Sequence, residues 1–319
     1  MFRKLSTISI ASNDIDKVKQ TYMDVFGFAA PVRSTNYDKG RYREHSLQID
    51  DFLLELLQPL DPPEAPGPGG GMARFLRSRG EGLYLITVGM AENSETYSKR
   101  LESKGVKVYW DVPDSGVSDR AKQQRPEVAN RVHPLIHPRH THGVLWELGR
   151  FMPDVIREKA PASNPFKKCM AISVVVKDAD VALKTYIDTL ELDSLLRSTT
   201  YEKSGYREHT LPMGELTIQL LQPLVGPDAK SRGGDMARAL RDRGEGLYHI
   251  TVDVDDVKAY AKKVEAKGVK VELFEPETGK VTNGPSKVAL PAGTVHGLIQ
   301  PQFAHGVLWE LGSFRPSYT

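Results

Sequence analysis

The stretch Gly80-Glu81-Gly82-Leu83-Tyr84-Leu85-Ile86-Thr87-Val88 returns later in the chain as Gly244-Glu245-Gly246-Leu247-Tyr248-His249-Ile250-Thr251-Val252. A second phrase is also used twice, His142-Gly143-Val144-Leu145-Trp146-Glu147-Leu148-Gly149 and His305-Gly306-Val307-Leu308-Trp309-Glu310-Leu311-Gly312. Ahead of the first phrase the halves align at one constant offset, pairing Phe2 with Phe166, Tyr37 with Tyr201 and Arg43 with Arg207; by the second phrase it is one residue shorter. Self-similarity at a fixed offset marks one structural plan used more than once. It also exposes where the copies differ, above all at Leu85 opposite His249. One half keeps a histidine that the other lacks.

Within each copy the pattern repeats again. A strand (Leu5 to Ala11; Met170 to Val176) leads through a capping Asn13-Asp14 or Asp178 into a helix, where Ile15, Val18, Tyr22 and Val25 fall at helical spacing. Strands are expected near Tyr42 to Ile49, Phe52 to Leu57 and Leu83 to Val88, with a short helix around Met72 to Arg79. A second helix (Glu92 to Lys104; Asp255 to Lys267) stops at Gly105 or Gly268. The spacing therefore predicts an α+β fold of four strand-helix-strands modules. Prolines 153, 161 and 165 mark a linker, dividing the chain into a first domain (1–152), a connector (153–165) and a second domain (166–319). The Pro- and Gly-rich stretch Pro59 to Gly71 is expected to be a mobile loop, and the runs Gly69 to Gly71 and Gly233-Gly234 to be flexible.

At 319 residues with 26% charged side chains and a net charge of +2, the chain recommends neither nucleic acid nor a membrane surface as partner. Its single cysteine, Cys169, allows no internal disulfide and suits a reducing compartment. No leader-like apolar core follows Met1, and no run approaches the roughly 18 apolar residues of a membrane span. A soluble, cytoplasmic protein is expected, either monomer or homodimer.

The module pattern, with Arg243-Gly244-Glu245-Gly246-Leu247-Tyr248-His249-Ile250 and Gly306-Val307-Leu308-Trp309-Glu310-Leu311, resembles the vicinal-oxygen-chelate superfamily (glyoxalase I, extradiol dioxygenases, bleomycin-resistance proteins). Within it the likeness is greatest to methylmalonyl-CoA epimerases. The resemblance covers nearly the whole chain, one epimerase-like domain per half. It implies a tandem vicinal-oxygen-chelate fold, four βαβββ modules forming two cupped mixed sheets. It further implies a divalent ion (Mn, Co, Zn, Mg or Fe) that chelates two vicinal substrate oxygens and stabilises an enolate. The family's ligands are a first-strand histidine, a Gln or Glu, a second histidine and a final-strand glutamate. In the second half they map onto Ala171, Gln219, His249 and Glu310; in the first, onto Thr7, Glu55, Leu85 and Glu147. The second half is thus expected to hold the metal, through His249, Glu310 and Gln219. The epimerases' proton-exchanging carboxylate maps onto Glu208, copied as Glu44, and works opposite Glu310.

Strand alternation in Tyr206-Arg207-Glu208-His209 puts Tyr206 and Thr210 on the face of Glu208, and Arg207 and His209 on the other. A bulge would instead turn His209 inward as a replacement ligand. Arg207 or His209 could anchor an anionic substrate group, with Tyr248 as a further substrate contact; the plainer alternative is a salt-bridged structural strand. His133, His137, His140 and His142 have metal-like spacing, although loop histidines are commonly solvated; His142 and His305 also suit a turn. Cys169 reads as an inert buried thiol. The function expected is a metal-dependent isomerase, epimerase or lyase acting on a small molecule: a carboxylate, a CoA thioester or an aromatic. Two alternatives stand beside it. One is an iron-dependent dioxygenase, whose two-histidine, one-glutamate set Ala171 interrupts; the other is a non-enzymatic small-molecule binding protein.

Overall fold

The computed structural model describes residues 2–111, 133–150, 164–284 and 293–313. The first sheet uses β1 (Phe2–Ala11), β2 (Arg33–Tyr37), β3 (Tyr42–Ile49), β4 (Phe52–Pro59), β5 (Gly82–Met90), β6 (Val108–Asp111), β7 (His133–Ile136) and β8 (Leu145–Arg150). Its helices are α1 (Ile15–Gln20), α2 (Gly67–Arg79) and α3 (Ser94–Ser103). The second sheet uses β9 (Phe166–Val175), β10 (Arg197–Tyr201), β11 (Tyr206–Met213), β12 (Leu216–Pro223), β13 (Gly246–Val254), β14 (Val271–Phe274), β15 (Lys280–Asn283), β16 (His296–Ile299) and β17 (Leu308–Gly312). With it come α4 (Ala179–Lys184), α5 (Arg232–Arg243) and α6 (Val257–Glu265).

The strand orders are β2-β3-β4-β1-β5-β8-β7-β6 and β14-β16-β17-β13-β9-β12-β11-β10-β15. In each sheet two modules meet at an antiparallel seam, β1 with β5 and β9 with β13, flanked by parallel pairs to β4 and β8 or to β12 and β17. The second sheet curls further. β14 and β15 stand at opposite edges yet are joined only by residues 275–279, a tether that spans at most roughly 20 Å. The two edges must therefore approach each other, which deepens the cup.

The helices open as their sequences direct. Asp14 accepts from the Lys17 amide, and Asp178 from the Asp180 and Val181 amides, so each carboxylate caps a helix. Both α1 and α4 then widen into a π-turn, Thr21–Phe26 and Thr185–Thr189. These turns carry Tyr22 and Tyr186 under the opposite half. Tyr22 packs on Trp309 and Tyr186 on Trp146, with ring centroids 6.2 and 5.8 Å apart. Tyr260 donates to the Phe26 carbonyl (3.0 Å) and Tyr97 to the Leu190 carbonyl (2.5 Å). One apolar core results, drawing from both halves. At the contact between the halves, Gly143 and Gly306 adopt φ +81°, and a Cβ at either would lie 1.8 Å from the carbonyl oxygen of Glu245 or Glu81.

Three expectations need correction. Strands β2 and β10 were not legible in the sequence. The stretch expected as a mobile loop is helical from Gly67 onward, and the second glycine run likewise lies in the first turn of α5. The glycines permit this: a Cβ at Gly70 would meet Ala65 O at 1.9 Å, and one at Gly233 would meet Gly205 O at 2.0 Å. Most of the expected linker lies outside the described residues. Asn164, at its end, accepts from the Ala29 amide (3.0 Å) and donates to the Gln48 carbonyl (2.8 Å).

Candidate active site

The concave face of the second sheet gathers a chain of polar side chains. Gln219, Ser173 and His249 are register neighbours on β12, β9 and β13, and Glu310 sits one level along on β17. Thr210 donates to Glu208 Oε1 (2.6 Å), and Gln219 Nε2 approaches the same oxygen (3.4 Å). Ser173 donates to Gln219 Oε1 at 2.7 Å and lies 3.0 Å from His249 Nε2, which is itself 3.3 Å from Glu310 Oε2. A serine hydroxyl has one proton. Because Ser173 gives it to Gln219, His249 Nε2 must be the donor to Ser173 and Glu310, and so it carries a hydrogen.

Two residues missed as site members complete the cluster. His296 on β16 places Nδ1 2.8 Å from Glu310 Oε1. Arg232, the first residue of α5, donates from Nη2 to Glu310 Oε2 at 2.8 Å. Its guanidinium lies over Tyr206 (5.8 Å) and Phe274 (5.0 Å). Burial by itself would raise the Glu310 carboxyl, but Arg232, with hydrogen bonds from His249 and His296, holds it well below the usual carboxylate range.

The first cup is wired differently. Arg33 Nε donates to Glu44 (2.8 Å) and its Nη2 reaches Glu55 (3.2 Å). Tyr37 donates to Glu44 (2.8 Å) and Ser9 to Glu55 (2.9 Å). Thr7 donates to Thr87, which donates to Glu147. Leu85 stands in the place of His249. Burial, then the nearby Glu44, push the Glu55 carboxyl up to about 8, against the pull of Arg33.

The structure sorts the remaining sequence candidates. Arg207 and His209 face away from the cup: both bind Asp180 at the start of α4 (2.7 and 2.9 Å), and His209 also meets Ser198 (2.7 Å). No bulge interrupts β11, so alternation holds and His209 does not replace the missing ligand. Tyr248 sits at a bulge in β13, its ring 5.6 Å from that of His249, packed toward α5. It lines a cavity of about 240 Å³ in the seam between the halves, beside Arg79 and Arg243, rather than in the cup. His137 accepts from the Arg139 amide, His140 from the Arg139 side chain, and His142 reaches across to Glu245 (3.0 Å). His305 likewise spans the halves to Thr21 (2.9 Å). These histidines cap and fasten; the His133 side chain lies outside the description. Cys169 is buried, which pushes its thiol up to about 12.

A family model described as Glyoxalase/Bleomycin resistance protein/Dioxygenase superfamily matches residues 4–148, and a second with the same description matches residues 170–288. The chain belongs to this superfamily. Among solved structures, a substituted 4-hydroxymandelate synthase from Streptomyces coelicolor is similar over 98% of this chain and 94% of its own, at 14% identity and a TM-score of 0.65. A fusion of a xylose isomerase-like TIM barrel with 4-hydroxyphenylpyruvate dioxygenase matches 100% of this chain and 50% of its own, at 13% identity and a TM-score of 0.62. Both show the shared fold. Methylmalonyl-CoA epimerase from Mycobacterium tuberculosis is 27% identical over 49% of this chain and 93% of its own, with a TM-score of 0.38. No curated protein matches the chain.

The divalent ion implied by resemblance to this superfamily does not fit the residues present. Ala171 offers no donor, and Gln219 is bonded at both ends of its amide. The His249 nitrogen facing the cup is already engaged with Ser173 and Glu310. Glu310 is already neutralised by Arg232. A doubly charged ion ~4 Å from that guanidinium would meet a repulsion of about 8 kcal/mol at an effective dielectric of ~20. His249 and His296 both contact Glu310, but among the described residues no three His, Cys, Asp or Glu side chains are placed to hold a metal ion. Nor is there a second histidine at Ala171 for the iron set of a dioxygenase.

Proposed function

We infer that the second cup catalyses proton transfer at a carbon next to a carbonyl, passing through an enolate-type intermediate on a small oxygen-bearing substrate. That is isomerase, epimerase or lyase chemistry. The observation that carries this reading is the pair of buried carboxylates, Glu208 and Glu310, on one concave face and linked through Gln219, Ser173 and His249. Glu208 is the base that takes the α-proton. Once protonated it is also the acid that returns the proton to carbon, while the His249 Nε2–H is a hydrogen-bond donor for the enolate oxygen. Superfamily membership supports an enzyme of this general kind without naming the reaction.

The test is hydrogen exchange. The chelator-treated protein is incubated in D2O with 2-oxo acids and 2-methyl-branched acyl thioesters, and deuterium at the α-carbon is followed by NMR. Exchange is expected with wild type and is expected to fall by about 100-fold or more in Glu208→Gln, the range a positioned base contributes. Exchange equally fast in that variant would overturn the assignment. Saturable binding without any exchange would favour a binding protein instead.

A further inference from the structure

We propose that Arg232 stands in for the divalent ion of the second cup, and that the cup takes a small carboxylate held by this guanidinium. The proposal rests on the choice of the second cup as the active one and adds the class of ligand.

Arg232 comes from the N-terminus of α5, outside the strands that supply the other site residues, and its length carries the charge into the cup. Ser231 caps that helix through the Gly234 amide (3.4 Å), which fixes the point from which the side chain departs. The faces of Tyr206 and Phe274 hold the guanidinium in place. The position is not dictated by the fold, because its counterpart in the first half is Pro68.

The first cup also places a guanidinium on its carboxylates, but Arg33 arises from β2. Its counterpart Arg197 lies 3.9 Å from Glu208. The first cup thus sets Arg33 from β2 on its carboxylates, and the second sets Arg232 from α5 on Glu310 in addition to Arg197 from β10 near Glu208. Arg33 and Arg232 differ in what they leave over. Arg33 spends both Nε and Nη2 on Glu44 and Glu55. Among the described residues, Arg232 spends only Nη2, leaving Nε and Nη1 without a protein acceptor. A guanidinium with a free edge is a planar fork for a carboxylate or an enolate oxygen. One anion per chain is the expected stoichiometry, in the second cup.

The probe is oxalate, a planar carboxylate with adjacent oxygens, titrated calorimetrically into the full chain with excess EDTA. Binding of about one oxalate per chain is expected, unaffected by the chelator. It should weaken at least tenfold in Arg232→Gln, recover in part in Arg232→Lys, and stay unchanged in Arg207→Ala; circular dichroism of each variant checks the fold. In parallel, wild type is expected to take up no stoichiometric Mn, Co or Zn, while the double variant Ala171→His, Arg232→Ala should gain such uptake. The proposal is overturned if wild type fails to bind oxalate, if binding needs a bound divalent ion, or if folded Arg232→Gln binds as wild type does. Loss of exchange in Glu208→Gln is a separate readout, so either idea can fail while the other stands.

Discussion

The indole N–H of Trp309 donates to the hydroxyl of Tyr22 across 3.0 Å, tying β17 to the turn that follows α1 in the opposite half. Both side chains are fully buried. In Tyr22→Phe the indole N–H keeps its burial and loses its acceptor, which costs about 1–3 kcal/mol. Denaturant titration should show a lower midpoint with an unchanged slope. An unshifted midpoint would mean that the bond contributes nothing net.

Glu310 and Arg232 should prove unequal partners in stability. Glu310→Gln leaves a mostly buried guanidinium without its counter-charge, a loss of about 3–5 kcal/mol near neutral pH. Because the folded carboxyl lies well below its unfolded value, its contribution is present above the ordinary carboxylate range and fades as pH falls toward the depressed one. The gap between wild type and variant should therefore narrow in acid. A gap independent of pH would refute the linkage.

Glu55 has the opposite sign. Its folded carboxyl, pushed up to about 8, binds a proton that the unfolded chain has released. That contribution is complete below the unfolded value and is lost as pH rises through about 8. Glu55→Gln should gain melting temperature over wild type across that window and level off above it. Parallel pH curves would count against the buried acid.

Gly233→Ala puts a methyl group 2.0 Å from the Gly205 carbonyl oxygen, so the first turn of α5 must shift and take Arg232 with it. Oxalate affinity should fall together with roughly 1–3 kcal/mol of stability. Gly226→Ala, with open space around it, is the control that should change neither.

Arg207→Ala should leave deuterium exchange as it is, since its partners Asp180 and Gln222 lie on the outer face. A stability loss within about 1 kcal/mol is expected for so exposed an ion pair. A collapse of exchange would return Arg207 to the substrate.

Gln219 and His249 stood out because the repeat aligned them with different residues, Glu55 and Leu85, whereas Glu208 and Glu310, kept as Glu44 and Glu147, stood out through the family resemblance; all four share one concave face. Arg232 was hidden for a physical reason. A long side chain separates the place where it is anchored from the place where its charge acts, and Glu310 lies 78 residues downstream. The available signal was the mismatch with Pro68. His296 was obscured by neighbours that sit in a turn while it sits in a strand. Strands β2 and β10, Arg-Ser-Thr-Asn-Tyr and Arg-Ser-Thr-Thr-Tyr, carry no hydrophobic alternation; pairing with β3 and β11 defines them instead. The glycine runs read as flexible because their role is close packing against carbonyls, which composition does not reveal.

The crossing of Tyr22 and Tyr186 beneath the opposite halves has a further consequence. Two separate copies of one half, paired in this way, would carry every substitution twice, and each cup would be bound to the same chemistry. Once the halves share one chain, a change can be confined to one side. Arg232 faces Glu310 while its counterpart remains Pro68, and His249 persists while its counterpart is Leu85. The packing keeps a symmetry between the halves that their cups do not.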